Sequence, residues 1–313
     1  MEEFLTHVKD GLSRLPKKLS SRYFYDAKGS GLFQQIMQLE EYYLPRCEMQ
    51  IIQNQSESIA IDISANHSSL QIVELGAGDG TKTKHLLRQF SVHFTHLEYV
   101  AMDISPNILA VNKDEIKKEA VGLNHISIAG NYFETYKNLD RARHGRLVMF
   151  LGANIGNFHN AEAITFFEFI KKGLTPGDYF LAAFDMVKHP RKILKAYDDS
   201  QGITKKFNLN LLERMNRELG ADFDISNFEH FPFYNPVTGI TSSHIISLKN
   251  QTVKFKDGFT VTFAAYEAIH TEISKKYFRS DIEEIAGESK MKIIQTYYDD
   301  NKEYAFVLFQ PCA

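Results

Sequence analysis

The sequence predicts an α/β protein built on a doubly wound parallel sheet, with a terminal antiparallel hairpin and a second, α+β lobe. Three observations predict it. Short apolar runs alternate with helical segments about five times between residues 71 and 186, the alternation stops from about 191 to 278, and two apolar runs joined by Asp300-Asn301-Lys302 close the chain. Repeated β-α units of this kind set parallel strands side by side with helices on both faces.

Taken in order, MEEFLTHVKDGLSRLPKKLS reads as a short amphipathic helix ended by Pro16; its immediate acidic residues and broken apolar pattern do not read as a signal peptide. QIVELGAG (71–78) is a buried strand ending in glycines, followed by a helix over 83–89. LEYVAMDIS (97–105) is the second strand, and Pro106 opens a helix to about Glu119. HISIAGNY (125–132), RLVMFLGANIG (146–156) and DYFLAAFDM (178–186) are the third, fourth and fifth strands, with a helix over 161–173 before the last. Residues 188–223 are expected to be helical, because Leu211, Leu212, Met215 and Leu219 recur at helical spacing. Strands follow around 244–248, 252–255 and 259–263, and then the hairpin MKIIQTYYDD/EYAFVLFQ. A hairpin added to five parallel strands is the arrangement of the Rossmann-like methyltransferase sheet. Residues 45–190 and 279–313 are therefore assigned to that core, and 1–44 and 191–278 to a substrate-binding lobe.

Composition narrows the partners. Lys+Arg 36 against Asp+Glu 39 gives a net charge of −3, which supplies no global field for nucleic acid or anionic lipid. No apolar run approaches the ~18 residues of a membrane helix, so neither nucleic acid nor membrane is expected as a partner. Cys47 and Cys312 form no Cys-x-x-Cys pair and suit a reducing cytoplasm, which is the expected location. The 12 histidines include no His-Glu-x-x-His, and no metal site is read. A monomer acting on a small molecule is expected. The unusual feature is 15 Tyr and 24 Phe with no Trp, because every buried phenol needs a hydrogen-bond partner.

The first strand runs into Glu74-Leu75-Gly76-Ala77-Gly78-Asp79-Gly80-Thr81-Lys82-Thr83. Glycines there let a ligand approach the backbone beside the positive end of the next helix. A phosphate loop needs Gly immediately before Lys, and Thr81 intervenes; a dinucleotide fingerprint needs Gly-x-Gly-x-x-Gly, and the third glycine comes one residue early. S-adenosylmethionine (SAM) fits better. Its amino-acid part would lie over the loop, Asp103 at the end of the second strand would hold the ribose, and Asn131 and Tyr132 after the third would meet the adenine. The competing reading is a structural turn with a solvated Asp103. Asn157, in FLGANIGNF after the fourth strand, stands where ligands bind in such sheets, with capping of the following helix as the equal alternative.

YFYDAKGSGLF, LEEYYLPRCE, VELGAGDGTKTKHLL, FLGANIGNF, KAYDDSQGITKKFNLNLLERMNRELGADFD and TEISKKY occur in this order. Together they resemble the ergothioneine-pathway L-histidine Nα-methyltransferase family over nearly the whole chain. The resemblance implies SAM contacts at Gly76, Lys82, Asp103 and Gly130 to Tyr132. It implies histidine contacts at Tyr42, Asn157, Tyr197, Glu272 and Ser274, with Tyr25 near the reacting amine. Tyr25 and Asn157 would orient that amine, and Glu272 and Ser274 would grip the imidazole nitrogens. The implied activity is conversion of L-histidine in three steps to hercynine (Nα,Nα,Nα-trimethylhistidine). The alternatives are methylation of another amino acid or of a thiol-bearing histidine, or a noncatalytic SAM-binding protein. This chain departs from the family at Asn131-Tyr132 (commonly Asp-Phe), Asn154 (commonly Thr) and Ser243 (commonly Met).

Overall fold

The structure is a computed structural model that describes residues 2–120, 122–140 and 144–312. It divides into two compact units, one of residues 1–43 and 188–275 and one of residues 44–187 and 276–313.

The larger unit is organised by a seven-stranded sheet: β1 Ser69–Leu75, β2 His96–Asp103, β3 Asn124–Ala129, β4 Gly145–Phe150, β5 Tyr179–Asp185, β6 Met291–Tyr298 and β7 Tyr304–Pro311. The spatial order is β6-β7-β5-β4-β1-β2-β3. β1 to β5 are mutually parallel where they pair, and β7 runs antiparallel to both β5 and β6. β4 and β5 are buried along their whole length, which is why they read as continuous apolar runs. On one face, Val73, Val100, Val148, Phe150 and Phe184 pack with Phe166, Phe167 and Ile170 of helix Asn160–Lys172 and Ile282 and Ile285 of helix Arg279–Glu288. Each such side chain, fully buried, contributes about 1.5–3 kcal/mol. The chain order reverses between β1 and β4, so the crevice beyond their carboxyl ends is the natural ligand position of the sheet.

Much of the tyrosine surplus is explained in this unit. Tyr99 donates to Glu74, Tyr136 to the carbonyl of Ile170 at 3.1 Å, Tyr277 to the carbonyl of Ile155 at 2.8 Å and Tyr297 to Asp62 at 2.6 Å. These phenols fasten loops and helices to the sheet from inside the core.

The smaller unit has a four-stranded sheet, in the order Lys17–Lys18, Ala268–Lys275, Ile240–Ser247, Phe228–Asn235, and a separate hairpin of Gln251–Lys254 with Thr260–Phe263. Helix Ile203–Leu219 packs Phe207, Leu211, Leu212 and Met215 into a core with Phe4, Val8, Phe24, Ile245 and Ile269. One sequence expectation is corrected here. The expected helix over 188–223 is two helices, Pro190–Lys195 and Ile203–Leu219. Between them the carboxylate of Asp199 accepts the N–H groups of Gln201, Ile203 and Thr204 at 3.1, 2.9 and 2.7 Å, and Gly202 takes φ +66°. That is a new helix start, not a continuation. The strand Phe228–Asn235 contains Pro232, which argues against a strand in the sequence, yet it lies at the sheet edge, where a missing N–H is tolerated.

Candidate active site

Two groups of the expected residues are gathered, one within each unit. In the larger unit, the chain leaves β1 through Gly76, Gly78 and Gly80, all at positive φ (+73°, +55° and +76°). A Cβ on Gly78 would meet nothing within 4 Å, and one on Gly76 only the Asn154 amide at 3.8 Å. The loop therefore forms a cradle open to a ligand, at the positive end of helix Thr83–His93. Its underside is fixed. Asn112, fully buried, donates to the carbonyls of Ala77 and Gly78 at 3.3 and 3.2 Å, and lies where a Cβ on Gly80 would fall.

Asp103 ends β2 as expected, and its carboxylate accepts the N–H of Gly78 at 3.1 Å and of Ser105 at 3.0 Å. Each carboxylate oxygen has a second acceptor position, so ribose hydroxyls can still be held. The Lys82 ammonium is ion-paired with Glu48 of helix Leu44–Ser64. Glu48 is 1% exposed and its other oxygen accepts the N–H of Gly152 at 2.9 Å, so one buried carboxylate ties Lys82 to the loop after β4. The sequence reading missed this residue, a lone acid on an amphipathic helix. Glu74, beneath the cradle, is pushed up to about 7 by burial, against hydrogen bonds from Tyr99 and Thr83.

Gly130 takes φ +146° after β3. Asn131 caps the short helix Tyr132–Thr135, its Oδ1 accepting the N–H of Phe133 at 3.0 Å. The Tyr132 ring lies 5.8 Å from Phe150, and burial raises its phenol to about 12. Asn157 ends the turn Asn154–Asn157 and is exposed. The helix that follows is capped by His159 and Glu162, so the capping alternative for Asn157 falls away.

In the smaller unit, Tyr197 sits in the break between the two helices and its hydroxyl donates to Ser274 Oγ at 2.7 Å. Its own carbonyl accepts from the buried His230 at 3.0 Å. Ser274 and Glu272 share strand Ala268–Lys275, and Glu272 lies opposite Ser243. Tyr25 is 48% exposed, with its ring edge-on to Phe33 and Phe207 at 5.4 and 5.5 Å. Desolvation at its phenolic end, then the charges of Glu272 and Tyr197, push its pKa far above the ordinary value. Tyr42 joins the row, its ring 6.4 Å from the other side chain's partner Phe33. The four residues expected to contact histidine from this lobe, Tyr42, Tyr197, Glu272 and Ser274, thus lie with Tyr25 in one aromatic and polar network.

Among the described residues, no helix is long and apolar enough to cross a membrane. The sequence model of a family described as histidine-specific, SAM-dependent methyltransferases matches residues 4–311. Proteins named histidine N-alpha-methyltransferase from Mycobacterium tuberculosis and Mycolicibacterium smegmatis are 34% and 35% identical over 271 residues, covering 86% of this chain and 83% of each relative. A Schizosaccharomyces pombe protein named ergothioneine biosynthesis protein 1 is 29% identical over 92% of this chain and 38% of its own length.

Proposed function

Because the chain belongs to the histidine-specific, SAM-dependent methyltransferase family, we propose that it methylates the α-amino nitrogen of L-histidine three times, giving hercynine. The observation that carries the choice of acceptor is the Tyr197–Ser274 hydrogen bond beside Glu272. A serine hydroxyl both accepts and donates, so the bond from Tyr197 orients it. Ser274 then donates to the bare imidazole nitrogen while Glu272 accepts from the ring N–H. Tyr42 holds the carboxylate.

Gly76, Lys82, Asp103, Gly130, Asn131 and Tyr132 are proposed to hold SAM, and the open glycine cradle fits it. When bound, SAM supplies a methyl carbon activated by a sulfonium, whose charge also lowers the pKa of an amine beside it from about 8. The nitrogen is an ammonium in the free amino acid. It sheds one proton before each of three methylations and ends as a quaternary centre. Tyr25 keeps its own proton throughout, because its pKa is far above neutrality, so it orients the amine as a neutral phenol and the protons pass to water. Asn157 shares that task through its amide. Alignment, rather than strong base catalysis, is the contribution of these side chains. Phenol faces also accept the cationic product through cation–π attraction.

The test is mass spectrometry of the protein incubated with SAM and a mixture of the twenty amino acids. A mass shift on histidine supports the proposal, and a shift on another amino acid with histidine untouched refutes it. One observation favours a second reading. Ser243, opposite Glu272, is smaller than the Met common in the family, a difference that would favour a bulkier ring such as one bearing a thiol. Faster turnover of a thiol-bearing histidine than of histidine would decide for that acceptor.

A further inference from the structure

Helix Ile203–Leu219 carries two asparagines, Asn208 and Asn210, that are 1% and 0% exposed. Asparagine is a poor helix former, and a buried amide is costly unless bonded, so two of them in one turn require a reason. Each holds a residue next to the expected ligand contacts. Asn210 donates to Asp26 Oδ1 at 2.9 Å; Asp26 follows Tyr25 and caps helix Ala27–Gln38. The one proton of the Thr271 hydroxyl lies between two acceptors, the carbonyl oxygen of Ser243 at 2.9 Å and Asn208 Oδ1 at 3.2 Å.

Thr271 is the extra residue of a β-bulge. Ala268, Ile269 and His270 pair with Ile246, Ile245 and His244, whereas Glu272, Ile273 and Ser274 pair with Ser243, Ser242 and Thr241. A slip of one residue turns every later side chain to the other face of the sheet. Without the bulge, Glu272 and Ser274 would share the face of His244 and His270. With it they share the face of Ser243 and Thr241, where Tyr197 reaches Ser274.

We propose that Thr271, held by Asn208, is a positioning residue for substrate recognition: its buried hydroxyl locks the bulge that turns Glu272 and Ser274 toward the ligand. Asn210 does the same for Tyr25 through Asp26, so one helix sets both sides of this part of the site. The inference rests on the reading of Glu272 and Ser274 as imidazole contacts.

Thr271→Val removes the hydroxyl with little change of shape, and Thr271→Ser retains it. Both are compared with the wild type by steady-state kinetics with histidine and SAM varied in turn, and by calorimetry with SAM. Thr271→Val should raise the KM for histidine about tenfold and leave the KM and Kd for SAM within about twofold, while Thr271→Ser stays within about threefold of wild type. An unchanged histidine KM in Thr271→Val, equal losses toward both substrates, or a serine variant no better than valine would overturn the inference. If Thr271→Val does not fold, Asn208→Ala carries the test, with the same split expected and its absence decisive against. A wild-type protein inactive on histidine overturns the underlying reading and this inference with it; an active wild type without the split overturns this inference alone.

Discussion

The Tyr197 hydroxyl donates to Ser274 Oγ at 2.7 Å, joining the break between two helices to a β-strand within one lobe. Ser274 belongs to the proposed imidazole grip, and Tyr197 holds it. Tyr197→Phe leaves the ring in place but leaves Ser274 without that donor. The KM for histidine should rise about tenfold, equivalent to about 1.4 kcal/mol, with calorimetric SAM affinity unchanged. Equal weakening toward SAM would show that the bond is structural.

The glycine cradle separates two kinds of damage. On Gly80 a Cβ would stand 2.9 Å from Asn112 Nδ2 at φ +76°, so Gly80→Ala should destabilise the fold by about 1–3 kcal/mol, read as a lower melting temperature. On Gly78 the space is empty within 4 Å and only backbone strain of about 1–2 kcal/mol is added. Gly78→Ala should therefore fold, yet bind SAM at least about tenfold more weakly because its methyl group occupies the cradle. Wild-type SAM affinity in that variant would move the cofactor away from the loop.

The parallel strands and the glycine turn after the first of them were legible in the sequence for one reason: buried parallel strands are continuous apolar runs, and Gly76, Gly78 and Gly80 follow the first of them. Boundaries were less so. The fourth strand stops at Phe150, short of the expected Gly156, because Gly152 and Ala153 turn to positive φ (+73° and +54°). Glu48 and Asn112 were hidden because a single polar residue in a helix carries no pattern that tells a buried anchor from a surface group. The spacing of Glu272 and Ser274 correctly implied a shared face. It could not show which face, since that depends on the bulge at Thr271 and so on pairing with a strand almost thirty residues away.

Glu74 gives the fold a pH dependence. Burial holds its proton to about 7, against 4.5 for an ordinary glutamate. Between those values the folded chain binds more protons at this site than the unfolded one, so the contribution of Glu74 to stability falls as pH rises through the window. Glu74→Gln removes that slope. In urea unfolding at about pH 5 and about pH 8, the stability of wild type minus variant should decrease at the higher pH. An equal difference at both would contradict the perturbed carboxyl.

Asn157 is exposed and caps no helix. Asn157→Ala should leave the melting temperature nearly unchanged and lower kcat/KM for histidine roughly ten- to a hundredfold, the range expected when a reacting amine loses its alignment. A stability loss with unimpaired turnover would assign Asn157 to the scaffold.

Exhaustive methylation of one nitrogen is read by fragmentation mass spectrometry of the product made from L-histidine and excess SAM. Mono- and dimethylated species should pass to a final product with three methyl groups, all on the α-nitrogen and none on the ring. A final product with fewer methyls, or with a methyl on the imidazole, would contradict it.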